Sequence, residues 1–171
     1  FNLWTTTSKT VLVLLMFSGA CAGSTGGGFK VSRIVILVRA AFREINSYIH
    51  PKSIRQVKYD NGPLDNEMVR SISIYLAAYV LLFIVSVFLI SFNGFDPVTT
   101  FTSVAATFNN IGPGLEVVGP TGSFYDFTDF SKWVFIFDML AGRLELFPML
   151  ILFHPGLWKD QFARRRMKKK R

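Results

Sequence analysis

The chain has 171 residues, half of them hydrophobic, with 18 Phe, a single Cys and a formal net charge of +8. The length fits one domain, and the lone cysteine excludes an internal disulfide and a cysteine metal cluster. The charge does not form a face for nucleic acid. Eight of the 19 basic residues fall in residues 159–171 and most of the rest between Lys30 and Arg70, with none between Ser71 and Ser131. That is the loop asymmetry of a membrane protein rather than the surface of a duplex reader.

The chain opens at Phe1 in apolar sequence without a start Met, so we expect a longer parent. The opening segment has no basic n-region and does not read as a signal peptide. The first element covers residues 1–45. It is an apolar helix interrupted by Gly23, Ser24, Thr25, Gly26, Gly27 and Gly28. Each glycine costs a helix roughly 1 kcal/mol against alanine, and three in a row should break it. Non-helical backbone at membrane depth is tolerated only where protein buries it or water bathes it. The break therefore implies a cavity or pore beside it.

Residues 46–70 are polar, and Lys52, Arg55, Lys58 and Arg70 make them a cytoplasmic connection, with Asn61-Gly62-Pro63 as a turn signal. Residues 71–93 form an uncharged span. About 22 residues at 1.5 Å each give roughly 33 Å, enough to cross a bilayer. Asp96-Pro97 then starts a short helix over residues 96–108, with Asp as N-cap and Pro at the first helical position. Its roughly 18 Å reach only mid-membrane, with the negative dipole end facing whatever lies there. Asn-Asn-Ile-Gly-Pro-Gly follows at residues 109–114.

The external stretch beyond it carries Glu116, Asp126 and Asp129 without a base, which with Asp96 predicts an acidic mouth that concentrates cations. Residues 131–158 form the last span, with Trp133 and Trp158 as interfacial anchors. Asp138, Arg143 and Glu145 lie inside it, where a charge costs about 2.5 to 3.5 kcal/mol at the centre even on lenient scales. Residues 159–171 form a basic cytoplasmic tail suited to anionic lipid. The layout is an all-α membrane protein: a broken transmembrane helix, then a helix–pore-loop–helix repeat. In such a repeat, loop carbonyls replace the water around an ion.

Three motifs sharpen this. Gly-Ala-Cys-Ala-Gly-Ser-Thr-Gly-Gly-Gly-Phe-Lys at residues 19–30, Asn-Asn-Ile-Gly-Pro-Gly at 109–114 and Met-Leu-Ala-Gly-Arg-Leu-Glu-Leu at 139–146 resemble the Trk/Ktr/HKT potassium transporter superfamily. The Cys-Ala-Gly-Ser form is most like its bacterial Trk-type membrane subunits. The resemblance implies four helix–pore-loop–helix repeats around one pore, of which this chain supplies the end of the third and the whole fourth. It implies that Asn110, Ile111, Gly112 and Pro113 form a quarter of the selectivity filter. It also implies that residues 23–28 form an intramembrane gating loop, with Arg143 facing the pore beside it. Phe29 departs from the pattern, where a smaller aliphatic residue is expected. Potassium would be the transported ion, with no cofactor. The partners implied are the remaining repeats, a second copy in a homodimer and a cytoplasmic nucleotide-binding regulatory subunit. The location implied is the bacterial inner membrane, crossed several times.

Independently of the resemblance, residues 23–28 and Arg143 each lie about halfway along a span. A guanidinium offers five donors, and an unwound loop offers free carbonyls. A methyl at Gly112 is expected to clash with the loop or rotate its carbonyls.

The same residues also have blander readings. Gly-Pro-Gly serves as an ordinary turn elsewhere, the triple glycine as a packing kink, and Arg143 with Glu145 as a structural pair, although residues two apart face different sides of a helix. Gly23 to Lys30 brushes a phosphate-loop pattern. Phe29 intervenes before the lysine, no hydroxyl residue follows it and no strand precedes it, so a nucleotide enzyme, or any other enzyme, is not expected. The rival readings are a truncated, non-conducting membrane scaffold and a subunit of a self-assembling tetrameric cation channel. The latter should carry a filter closer to Thr-Val-Gly-Tyr-Gly.

Overall fold

The computed structural model describes residues 3–19, 21, 27–50, 58–59, 62–63 and 65–144. The first element is two helices, α1 (Thr6–Phe17) and α2 (Val31–Ile49), with the glycine-bearing break between them. The break is closed at its neck. The Gly19 N–H donates to the Phe29 carbonyl at 3.0 Å, and Ser18 and Phe29 form an isolated parallel bridge. A methyl on Gly19 would lie 2.9 Å from that carbonyl, so the two strands of chain approach too closely for a side chain there.

In the polar connection, β1 (Lys58–Tyr59) pairs antiparallel with β2 (Gly62–Pro63), Lys58 opposite Pro63. Apart from this dipeptide hairpin, the described fold is helical. The expected turn signal falls at the hairpin, with Gly62 and Pro63 in its second arm. Next, α3 (Asn66–Ser91) begins five residues before the uncharged stretch. The reason is capping: the Asp65 side chain accepts from the Glu67 N–H at 3.3 Å, satisfying a donor that a helix start leaves open. Its 26 residues extend about 39 Å. Among the described residues it is the one helix long and apolar enough to cross a membrane.

The short helix α4 (Pro97–Phe108) has the bounds that Asp96-Pro97 predicts, and Asp96 Oδ2 accepts from the Thr99 N–H at 3.0 Å. It is the centre of the core. Helices α1 and α3 pack on it, as does α5 (Asp129–Arg143), and Val104, Ala105, Ala106 and Phe108 are wholly buried. Small side chains on α4 let the longer helices close in, and rings fill the remaining space. Phe83 meets Phe17, Phe101 and Phe108 at centroid distances of 5.4, 5.3 and 6.1 Å, edge-on contacts of a favoured kind. Helix α2 joins α3 through Ile36, Ala40 and Val69.

A 3-10 turn at Glu116–Val118 follows the 109–114 loop. The sequence pattern did not indicate it. Helix α5 starts two residues earlier than expected because Asn93, just past α3, clasps its N-terminus. Asn93 Oδ1 accepts from the Thr128 N–H (3.2 Å) and Thr128 Oγ1 (3.0 Å), while its Nδ2 donates to Ser131 Oγ (2.6 Å). The remainder of the expected 131–158 span beyond residue 144, with Glu145 and Trp158, lies outside the described residues, as does the 159–171 tail.

Candidate functional site

The 109–114 stretch leaves the buried C-terminus of α4 and is fixed at both ends. On entry, the N–H groups of Asn109, Asn110 and Ile111 donate to the carbonyls of Ala105 (3.1 Å), Thr107 (3.1 Å) and Ala106 (2.9 Å). These bonds satisfy carbonyls that a helix end would otherwise leave open. On exit, the Gly114 N–H donates to the Val118 carbonyl (2.7 Å) and the Leu115 N–H to Thr102 Oγ1 (3.0 Å). Gly114 is needed for close approach, since a methyl there would lie 2.6 Å from Val118 Cγ2.

Between these anchors, Asn110, Ile111, Gly112 and Pro113 are exposed. Among the described residues no hydrogen bond is made to their four carbonyls. Gly112 has φ +107° and Asn110 φ 54°. A methyl on Gly112 would meet nothing within 4 Å. The expected clash is therefore absent, and the glycine is required by its left-handed backbone alone. A groove of about 220 Å³ lies between α1 and this stretch, lined by Leu12, Leu15, Met16, Ile111 and Pro113 among others.

Of the glycine segment, Gly23, Ser24, Thr25 and Gly26 lie outside the described residues. Gly27 and Gly28 sit directly behind the start of the 109–114 stretch. A methyl on Gly27 would lie 2.6 Å from the Asn109 carbonyl oxygen, and one on Gly28 (φ +81°) 3.0 Å from Asn109 Oδ1. Arg143 is the last residue of α5, and its side chain is exposed. Its neighbour Gly142 makes the close approach: a methyl there would overlap the Phe108 carbonyl oxygen and come within 2.8 Å of Asn110 Nδ2. Asn110 Nδ2 also donates to the Met139 carbonyl at 3.1 Å. The glycine segment and α5 thus reach the Asn109-Asn110 pair from different sides.

Phe29, unexpected in the motif, is buried against Tyr75 and Tyr79 of α3, both at 5.9 Å between centroids. Those two rings make room for it. The acidic mouth is less negative than its local sequence implies. Lys9 of α1 lies 3.2 Å from Glu116, and Lys132 lies 3.5 Å from Asp129. The first pair joins residues 107 positions apart, beyond what a count within the loop can reveal. Inside the bundle, Asp138 is wholly buried and accepts from Ser86 Oγ at 2.6 Å.

Sequence reasoning missed the side chains of Asn109, Thr102 and Tyr79. The available signal was the run of hydroxyl residues Thr99, Thr100, Thr102, Ser103 and Thr107 in an otherwise apolar short helix. Tyr79 had no such signal.

Residues 1–164 match the family described as "TrkH: Cation transport protein". The chain is 40% identical over 157 residues to the Trk system potassium uptake protein TrkH of Escherichia coli (strain K12), covering 92% of this chain and 32% of that protein. It is 42% identical over 151 residues to the TrkH of Vibrio parahaemolyticus serotype O3:K6, covering 86% of this chain and 31% of the relative. The crystal structure of the potassium transporter TrkH from Vibrio parahaemolyticus superposes with a TM-score of 0.80 at 39% identity, over 91% of this chain and 33% of that one. The chain spans about a third of the length of these relatives. With its pore-loop geometry and this breadth of match, the chain belongs to the TrkH family of cation transport proteins and is a membrane protein.

Proposed function

We propose that this chain is the C-terminal third of a potassium-uptake transporter, carrying one quarter of its selectivity filter and part of its gate. The observation that carries the reading is the exposed stretch of Asn110, Ile111, Gly112 and Pro113 at the end of a half-length helix, held at both ends, with no hydrogen bond to its four carbonyls among the described residues. Free, pre-positioned carbonyls are what a dehydrated monovalent cation requires. The C-terminal dipole of α4 adds negative potential at the same place. The relatives named above are potassium uptake proteins, which favours potassium as the cargo and transport without catalysis. No cofactor enters this reading.

The gate of this reading is Gly23, Ser24, Thr25, Gly26, Gly27 and Gly28 with Arg143. It is supported by the close approach of Gly27 to Asn109 and Asn110 and of Gly142, next to Arg143, to Phe108 and Asn110. A cationic side chain beside the filter opposes cation entry, and its displacement would admit it.

Apolar side chains exposed on α1 (Leu14, Leu15), α3 (Leu81, Phe88) and α5 (Trp133, Ile136) support contact with lipid or with the remaining repeats of the parent. The protein is then multi-pass in a bacterial inner membrane. The family resemblance adds a homodimer and a cytoplasmic nucleotide-binding regulatory subunit. The test is cation flux through the full-length parent in liposomes. Potassium and rubidium should enter under an inside-negative potential and sodium much less, while the 171-residue chain alone should not conduct. Absence of cation flux from the intact parent, or equal passage of sodium, overturns the reading.

A further inference from the structure

Tyr79 lies on α3, outside both the filter stretch and the glycine segment, yet it touches the residue adjoining each. Its ring is buried, 5.9 Å from Phe29, which follows Gly28, and 4.8 Å from Phe108, which ends α4, edge-on in both cases. Its hydroxyl donates to Asn109 Oδ1 at 2.5 Å. Asn109 Nδ2 donates to the Ala105 carbonyl at 2.9 Å, so the amide is held at both ends and its oxygen is committed to Tyr79. Asn109 is itself buried, and its carbonyl and side-chain oxygens face Gly27 and Gly28. One aromatic side chain therefore seats the exit of the glycine segment with its ring and the entry of the filter stretch with its hydroxyl.

We propose that Tyr79 is a positioning residue that couples the glycine segment to the filter: its hydroxyl, acting through Asn109, fixes the first filter carbonyls in register with Gly27 and Gly28. This rests on the filter and gate reading above. A buried amide that loses its partner is free to turn, and filter selectivity depends on where carbonyls point. Displacement of the glycine segment is transmitted to Asn109 as loss of the packing behind it.

The experiment measures the potassium/sodium permeability ratio and open fraction of the full-length parent in planar bilayers. Tyr79→Phe keeps the rings against Phe29 and Phe108 and removes only the hydroxyl. It should lower the ratio about fivefold, the equivalent of one buried hydrogen bond, and shift the open fraction, at wild-type abundance and thermal stability. Asn109→Ala should do the same, and the double variant should be no worse than Asn109→Ala alone, the non-additivity of groups acting through one contact. A wild-type ratio and open fraction in Tyr79→Phe, or additive effects in the double variant, overturns the coupling. If Tyr79→Phe fails to accumulate, an unchanged ratio in Asn109→Ala overturns it. Gly112→Ala separates the two levels. If it alters selectivity while Tyr79→Phe does not, only the coupling falls. If Gly112→Ala leaves selectivity intact, the filter reading itself falls.

Discussion

Gly112→Ala isolates conformational strain from steric clash. At φ +107° an L-residue is strained, by about 1–3 kcal/mol if the backbone does not move. The added methyl meets nothing within 4 Å, so no packing term adds to this. The helix α4, the Thr102–Leu115 bond and the Gly114–Val118 bond all lie outside the perturbation, and folding and insertion should survive. The strain is relieved by rotating the peptide planes on either side, which turns the Ile111 and Gly112 carbonyls. If the strain falls wholly on the ion-bound state, potassium binding weakens by about 5- to 150-fold, at 1.4 kcal/mol per tenfold. The assay is potassium uptake by the full-length parent in cells lacking other potassium uptake systems, with sodium as competitor and membrane abundance as control. Uptake should fall, or discrimination against sodium should collapse, at unchanged abundance. Wild-type uptake and wild-type discrimination would refute the reasoning and remove Gly112 from the filter.

Gly142→Ala is the steric counterpart. Its methyl overlaps the Phe108 carbonyl oxygen, so α5 must move off α4, and the parent should lose both abundance and flux; a normal level of functional protein contradicts the close packing of α4 and α5. Ser86→Ala leaves the buried Asp138 carboxyl, whose Oδ2 already has no hydrogen-bond partner among the described residues, without its one hydroxyl donor. It should lower stability by roughly 1–3 kcal/mol, read as a lower melting midpoint in detergent, and an unchanged midpoint contradicts the pairing. For topology, a cysteine at the exposed Asp126 should be modified by an impermeant reagent from outside and one at Lys58 should not; the reverse pattern inverts the topology. Arg143→Gln in the parent should raise cation flux or weaken its regulation, and wild-type behaviour makes Arg143 a packing residue.

The short helix was legible to the residue because its signals are local. Asp96 caps it, Pro97 begins it, and the first asparagine of the loop ends it. The start of α3 is not marked by the uncharged stretch that begins at Ser71, because the Asp65 cap extends the helix across charged Glu67 and Arg70. The start of α5 depends on Asn93, 35 residues from Thr128, and the less negative mouth in part on Lys9, 107 residues from Glu116. Such pairings are set by how helices pack and leave no periodic trace in the sequence. The same holds for Tyr79, one apolar-face residue among many on a span. Its hydroxyl becomes informative only when Asn109 is seen to be buried beneath it.

The described glycines carry a second physical cause beside helix breaking. As helix breakers alone they would act as a simple hinge. In the fold, Gly27 and Gly142 are fixed by proximity: the first abuts the Asn109 carbonyl, the second the Phe108 carbonyl and Asn110. Any side chain at either position would push an element away from the entry to the filter stretch. Gly28 needs its left-handed φ of +81° and also lies against Asn109. At the neck, Gly19 lets the two strands of the break bond to each other. Close approach would tie such a segment to residues 109–114 more strongly than looseness would, because a displacement of packed backbone must be matched by its neighbour. A gate built this way, as proposed above, would act on the ion path by contact with Asn109 and Asn110. Substitutions at Gly27 should therefore alter selectivity together with opening, whereas a simple hinge would change opening alone. Potassium/sodium ratios measured alongside open fraction in Gly27→Ala of the full-length parent decide between them, and a changed open fraction with an unchanged ratio restores the hinge.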